Sequence, residues 1–492
     1  MKLLFRPLTA LLCAAPLLVL SAADPLSPAE QELLQTIRAR TLQGHISFLA
    51  ADSLEGRDTP SRGLDVAADY IASQFRRFGL QPGSGDSYFQ NAAFVRAKQP
   101  MDQFSFLLTA GDGQFKAAAE HTAVSAERAF ALVDATPVMI QASGENAALP
   151  PASDVAGKAV VLLPGELRGR ALFERRAAIL ALKPAALIVS GQAFMMREQL
   201  REAGSGTPRP PVITISDPAF ASLAAKIDAK SKLSLSIQAP VEEPVPLKNV
   251  AAILPGSDPV LAKTYIILSA HYDHTGVNPR AEGDKINNGA NDDASGVATV
   301  LAIAEALSAA PQRPKRSILF ITYFGEEKGL LGSRYYAAHP LVALAQTAGN
   351  LNFEHMGRTD DNEGSRAGKL TSTGFDYTTL GQDLSDAAKL TGIEPWKHER
   401  NSDAFFGSSD NQSLANAGVP AITVSVSYIF PDYHRAGDHW DKIDYANMER
   451  VVRTCALTAF RVTNAAQEPR WVEANPRTAN YVKTWRELHG AQ

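Results

Sequence analysis

From Asn249 to about Asn464 the chain alternates strand-like apolar runs with helical stretches, and no other feature constrains its fold so tightly. The runs are VAAIL, TYIILSAH, SILFITYF, NLNFE and PAITVSVS, with helical patterning from Ser295 to Leu307 and near Leu330 to Ala338 between them. Strands interleaved with helices bury a sheet between helical layers. Unbroken runs such as IILSA and ILFITYF suit central strands covered on both faces. The expected fold class is α/β, a mixed, mainly parallel sheet flanked by helices.

The rest of the chain is built around that pattern. Ser27, Pro28 and Glu30 have the spacing of a capping box with proline at the first helical position. A second helix is expected from about Leu64 to Phe78, stopped by Gly79. From about Phe130 to Ile237 the short runs AVVLL, AALIVS, VITIS and LSLSI, with a helix near Leu172 to Leu182, indicate a small strand-rich domain. It closes on APVEEPVPL, whose Pro240, Pro244 and Pro246 read as a stiff connector that disfavours regular pairing. The expected division is a discontinuous main domain at 24–129 and 246–467, an insertion at 130–245 and an extension at 468–492. Trp471, Tyr481 and Trp485 give that extension reason to pack back onto the body.

Lys2 and Arg6 ahead of an apolar stretch from Leu8 to Leu20, then Ser21-Ala22-Ala23, have the order of a cleaved export leader, residues 1–23. The expected destination is the periplasm or the medium. That stretch is too short to span a bilayer, and no later one is long and apolar enough. With 48 Lys and Arg against 52 Asp and Glu, no basic footprint argues for nucleic acid. Cleavage would remove Cys13 and leave Cys455, so no internal disulfide is expected. Cys455 lies in an amphipathic run and reads as a small buried hydrophobe.

In open α/β sheets ligands gather beyond the carboxyl ends of the strands, so the polar residues that end each run are the ones to collect. They are His271 and Asp273, Asp292 and Asp293 in NGANDDASG, Glu326 and Glu327, Glu354, and His434. Strand alternation puts His271 and Asp273 on one side, as for a metal ligand with a carboxylate that orients it. One acid of the NGANDDASG turn can cap the following helix, and a carboxylate there can also offer its two oxygens to two cations. Two adjacent glutamates at a strand end are costly to desolvate unless cations compensate them, and one could bind metal while the other accepts a proton. Nitrogen and oxygen donors without thiolate favour zinc, with cobalt and manganese left open.

The strings SAHYDHTG, NGANDDASGVA, FGEEKGLLGS, NFEHMGR and PDYHRAGDHWDKID resemble the two-zinc exopeptidases that include bacterial leucyl aminopeptidases, glutamate carboxypeptidase and the non-catalytic transferrin receptor. The resemblance extends to LAADSLEGRDTPSRGLDVAADYIASQFRRFGLQP. It implies a zinc peptidase main domain in which His271 and Glu327 hold one zinc, Glu354 and His434 the other, and Asp292 bridges. Glu326 becomes the general base, Asp273 orients His271, and Tyr433 stabilises the oxyanion. His274, His355 and His439 rank below these. The family usually has Asp at the Glu354 position and often at Asn291. The strings GKAVVLLPG, PAALIVS and PPVITIS make the insertion resemble a protease-associated domain, expected to flank the cleft and limit substrate size.

The resulting expectation is an exported metallo-exopeptidase, an aminopeptidase acting on peptide substrates with two zinc ions. A carboxypeptidase or dipeptidase on the same centre, a glutaminyl cyclase-like enzyme and a receptor-like binding protein are the alternatives.

Overall fold

In the computed structural model, which describes residues 26–142, 148–191, 198–204 and 209–490, Tyr265–His271 is the central strand of a mixed sheet. It is flanked on both sides by parallel partners, Ser317–Tyr323 and Thr347–Phe353. Ala421–Ser425 continues the parallel set beyond Thr347–Phe353. The outer strands reverse direction: Val250–Leu254 pairs antiparallel with Ser317–Tyr323, and Lys369–Ser372 with Ala421–Ser425. The mixed, mainly parallel α/β sheet is therefore as the sequence pattern implies. The expected leader, residues 1–23, lies outside the described residues.

Both faces of the sheet are covered, which is why its strands are apolar throughout. On one face the helix Ser295–Ala309 is buried along almost its whole length, as its all-round apolar sequence requires. On the other, Ile267, Leu319 and Ile321 pack with Tyr336, Leu414 and Val482. Trp471 joins this second cluster and donates from Nε1 to Gly418 O at 2.9 Å, so the extension is packed, with a helix at Ala479–Leu488. The capping box forms as expected: Ser27 N donates to Glu30 Oε2 at 2.8 Å, and Glu30 N to Ser27 Oγ at 3.3 Å. Cys455 is buried and free, its thiol pKa raised by burial. Among the described residues no helix is long and apolar enough to cross a membrane.

The chain divides into two compact units, one holding residues up to Phe89 and again from Val250, the other Gln90–Asn249. The inserted unit thus begins near residue 90, not at 130. Strands Ser105–Ala110 and Thr122–Ser125 pair with Lys232–Ile237 and Val212–Ile215, partners about 90 to 130 residues downstream that no local pattern reveals. Its core is made by both small sheets, with the Phe106, Phe115 and Phe220 rings against one another. The proline segment also corrects expectation: Val241–Leu254 is a continuous strand. Pro244 and Pro246 are two apart, so their missing N–H groups fall on one edge of the strand, while Val245 and Leu247 turn inward.

Candidate metal centre

Because four strands run parallel, their carboxyl ends deliver polar residues to one edge of the sheet. His271 ends the central strand, Glu326 and Glu327 follow Ser317–Tyr323, and Glu354 follows Thr347–Phe353. Asp292 comes from the turn before the helix Ser295–Ala309, and His434 from the loop after Ala421–Ser425.

Asp292 lies at the middle of this set. His271 Nε2 is 3.3 Å from its Oδ1, and His434 Nε2 is 3.1 Å from its Oδ2. Burial alone would raise its pKa, but His274, His271, His355 and His434 together hold it well below the usual carboxylate range. The two acids of the turn divide their work: Asp293 Oδ1 accepts from Gly296 N at 2.9 Å and caps the helix, which leaves Asp292 for the centre. Gly289, at φ 62°, lets the turn pass close to His274, since a Cβ there would stand 2.6 Å from the His274 ring.

Two groups of side chains converge on Asp292. In one, single donor atoms of His271, Asp292 and Glu354 lie within 4.8 Å of one another; in the other, those of His274, Asp292 and Glu327 do. His434 joins the second, its Nε2 3.2 Å from Glu327 Oε2, with His274 Nδ1 2.8 Å from Glu327 Oε1. Burial and the Asp292 charge would raise Glu327, yet the two imidazoles bring it down to about 2. His271 Nε2, both His274 ring nitrogens, Glu327 Oε1 and Glu354 Oε2 are buried without a hydrogen bond. Buried polar atoms are ordinarily satisfied, so this donor set fits a pair of cations sharing Asp292.

The geometry corrects two expectations. The partner of His271 is Glu354 and that of His434 is Glu327, the reverse of the pairing the resemblance implies. Central Tyr265–His271 lies between the two strands that carry these acids, and Glu354 is the one brought to its end. His274, ranked below the others by strand alternation, belongs to the second group, because the strand ends at His271 and the two-residue period stops there. Asp273 Oδ1 lies 3.6 Å from His271 Nδ1, which also meets the Asp273 backbone carbonyl at 3.2 Å. The same carboxylate accepts from Glu326 N at 3.1 Å and fixes the two-glutamate turn. His439 pairs outside with Asp284 at 3.0 Å, while His355 Nε2 stands 3.6 Å from Asp292.

Glu326 makes a different use of the same surroundings. Burial lifts its pKa well above the usual value, opposed by His271 and reinforced by the charges of Glu354, Asp410 and Glu327. Tyr433 stacks on His434, ring centroids 4.0 Å apart, and burial together with the acids keeps its hydroxyl protonated. Beside Glu354 a cavity of about 200 Å³ opens, lined among others by Thr373, Phe405, Ser425, Tyr428 and Tyr433.

Sequence reasoning passed over Asp438 and Arg57. The Asp438 carboxylate accepts from Asn291 N at 3.0 Å and Asp292 N at 3.1 Å and holds the bridging turn; burial pushes its pKa up to about 6. Its one signal is its place four residues after His434, inside the string PDYHRAGDHWDKID. Arg57 lay inside the LEGRDTPSRG string without being singled out.

Residues 249–459 match the family described as Peptidase family M28. A probable zinc metalloprotease of Pyrenophora tritici-repentis (strain Pt-1C-BFP) is 31% identical, over 40% of this chain and 43% of its own length. The probable leucine aminopeptidase 2 of Aspergillus oryzae (strain ATCC 42149 / RIB 40) is 28% identical over 45% of each. The chain spans about half or less of the length of the curated relatives it matches. In fold it resembles the aminopeptidase from Aneurinibacillus sp. strain AM-1, with a TM-score of 0.55 at 20% identity over 88% of this chain and 95% of that one.

Proposed function

We propose that this chain, whose residues 249–459 match peptidase family M28, is an exported two-zinc aminopeptidase that removes residues from the N-termini of peptides. The observation that carries the reading is Asp292 shared between two groups of donors, of which His271 Nε2, both His274 ring nitrogens, Glu327 Oε1 and Glu354 Oε2 are buried without a hydrogen bond. Histidine and carboxylate donors without thiolate suit zinc. His271, Asp292 and Glu354 would hold one ion; Asp292, Glu327 and His434, with His274 beside them, the other. Bound there, a pair of divalent cations lowers the pKa of water and polarises a peptide carbonyl.

The chain's own residues supply the rest. Glu326, its affinity for protons raised by burial, takes a proton from the attacking water and returns it to the leaving amine. Asp273 holds Glu326 in place through the backbone N–H. Tyr433, kept protonated, donates to the developing oxyanion. The cavity beside Glu354, about 200 Å³, offers room for one side chain of the substrate, which favours cleavage at a peptide end. The basic and apolar start of the chain supports export, to periplasm or medium. The inserted unit is assigned a protease-associated role in limiting substrate size.

Metal content of the purified protein, with hydrolysis of aminoacyl and N-acylated substrates before and after chelation, tests the reading. Two zinc ions per chain and chelator-sensitive cleavage of free-amino substrates alone are expected. Preferential cleavage of N-blocked substrates would move the assignment to a carboxypeptidase, and a chain that retains no divalent ion would remove the peptidase reading altogether.

A further inference from the structure

Arg57 is 1% exposed, yet its guanidinium partners are backbone carbonyls rather than a carboxylate. Nε donates to Tyr272 O at 2.9 Å, Nη1 to Leu49 O and, at 2.7 Å, to Asn288 O, and Nη2 to Gly289 O at 3.0 Å. Tyr272 is the residue between His271 and Asp273. Asn288 and Gly289 open the turn that ends on Asp292. One planar group with donors in fixed directions therefore joins the loop of the first imidazole to the loop of the shared carboxylate.

The backbone is bent to put it there. Glu55, Gly56 and Arg57 have φ of 47°, 68° and 51°, three successive left-handed residues of which two are not glycine. Such conformations persist only where surrounding structure over-determines them. Gly56 has no room for a side chain, since a Cβ would stand 2.3 Å from Asn287 O and 2.9 Å from Gly276 Cα. Burial brings the guanidinium pKa down to about 10, while Asp273, Asp292, Asp438 and Asp293 pull it upward, so its charge is felt by the acids of the centre.

We propose that Arg57 is a positioning residue of the metal centre: by holding the carbonyls of Tyr272, Asn288 and Gly289 on one guanidinium it fixes His271 relative to Asp292 and so sets the affinity of the ion they share with Glu354. The inference rests on the metallopeptidase reading. Arg57 touches neither substrate nor ion. Lysine keeps the charge but gathers its donors on one nitrogen, so it does not replace the fork.

The test is stepwise cobalt binding to the full chain, followed by the visible absorption of the bound ion and by chelator competition, in wild type, Arg57→Lys and Arg57→Gln. Both variants are expected to lose about 10- to 100-fold in affinity for one ion, to alter that ion's spectrum and to leave the other unchanged. Turnover should recover in excess metal, with KM unaffected. Wild-type affinities and spectra in folded variants overturn the proposal. So does failure of both variants to fold in saturating metal, which makes Arg57 a structural clamp alone. Absence of cobalt binding by the wild type would instead sink the peptidase reading itself, a distinguishable result.

Discussion

Asp292 presents Oδ2 to His434, 3.1 Å from its Nε2, while its other oxygen faces His271. Sharing one carboxylate divides the remaining ligands into two sets, and the division is measurable. Removing His271 and Glu354 together should cost the same single ion as removing either, whereas combining His271→Ala with Glu327→Ala should strip both. Metal per chain, counted by atomic absorption after equilibrium dialysis, decides between these sets. Loss of both ions in the His271→Ala, Glu354→Ala double variant alone would restore the pairing that the resemblance implies.

Glu326→Gln removes the proton acceptor while keeping shape and the backbone bond to Asp273. Metal content should stay at the wild-type level while kcat falls by roughly 10²- to 10⁴-fold. Turnover within a factor of two of wild type would move the base elsewhere.

The ligands were legible because each apolar run ends in a residue that would be costly to bury without a cation: His271, Glu327 and Glu354 announce themselves one strand at a time. Their pairing was not legible. It depends on the spatial order of strands, with Ser317–Tyr323 and Thr347–Phe353 on opposite sides of Tyr265–His271. Local pattern misleads at His274, where the strand has already ended. Asp438 and Arg57 act on backbone groups well over a hundred residues away, so neither has a motif of its own in the run it serves. The strands at 105–125 likewise find partners far downstream.

The cavity beside Glu354 holds about 200 Å³ and is walled in part by Thr373 and Ser425. Ser425→Leu should fill part of it. We expect kcat/KM for substrates beginning with a large residue to fall at least about tenfold, the lower end of the range for one misfitted methylene, with alanyl substrates little changed. Equal effects on both substrates would place the first side chain in another recess.

Trp471 is 7% exposed, stacks on Tyr481 with centroids 4.9 Å apart and donates to Gly418 O. Trp471→Ala should destabilise the metal-loaded protein by about 3–5 kcal/mol, read from the urea midpoint at unchanged m. A loss below about 1 kcal/mol, within the range of ordinary surface changes, would mean that the C-terminal segment is only laid against the body.

His45 supplies a pH dependence separate from the metal centre. It is 4% exposed in the helix Ala39–Leu49, its Nδ1 2.8 Å from Tyr70 Oη and its Nε2 without a partner. Burial first, and then the Arg77 charge, lower its pKa from 6.5 to about 4. Between those values the unfolded chain binds a proton that the folded chain refuses, so stability rises with pH across that window and is lost as pH falls toward 4. At about 1.4 kcal/mol per unit the contribution is on the order of 3 kcal/mol. His45→Gln cannot titrate, so its stability relative to wild type should improve by that order between pH 7 and pH 4. Urea unfolding of both proteins at fixed metal across this range measures it, and parallel curves would show that His45 protonates in the folded state as readily as in the unfolded one.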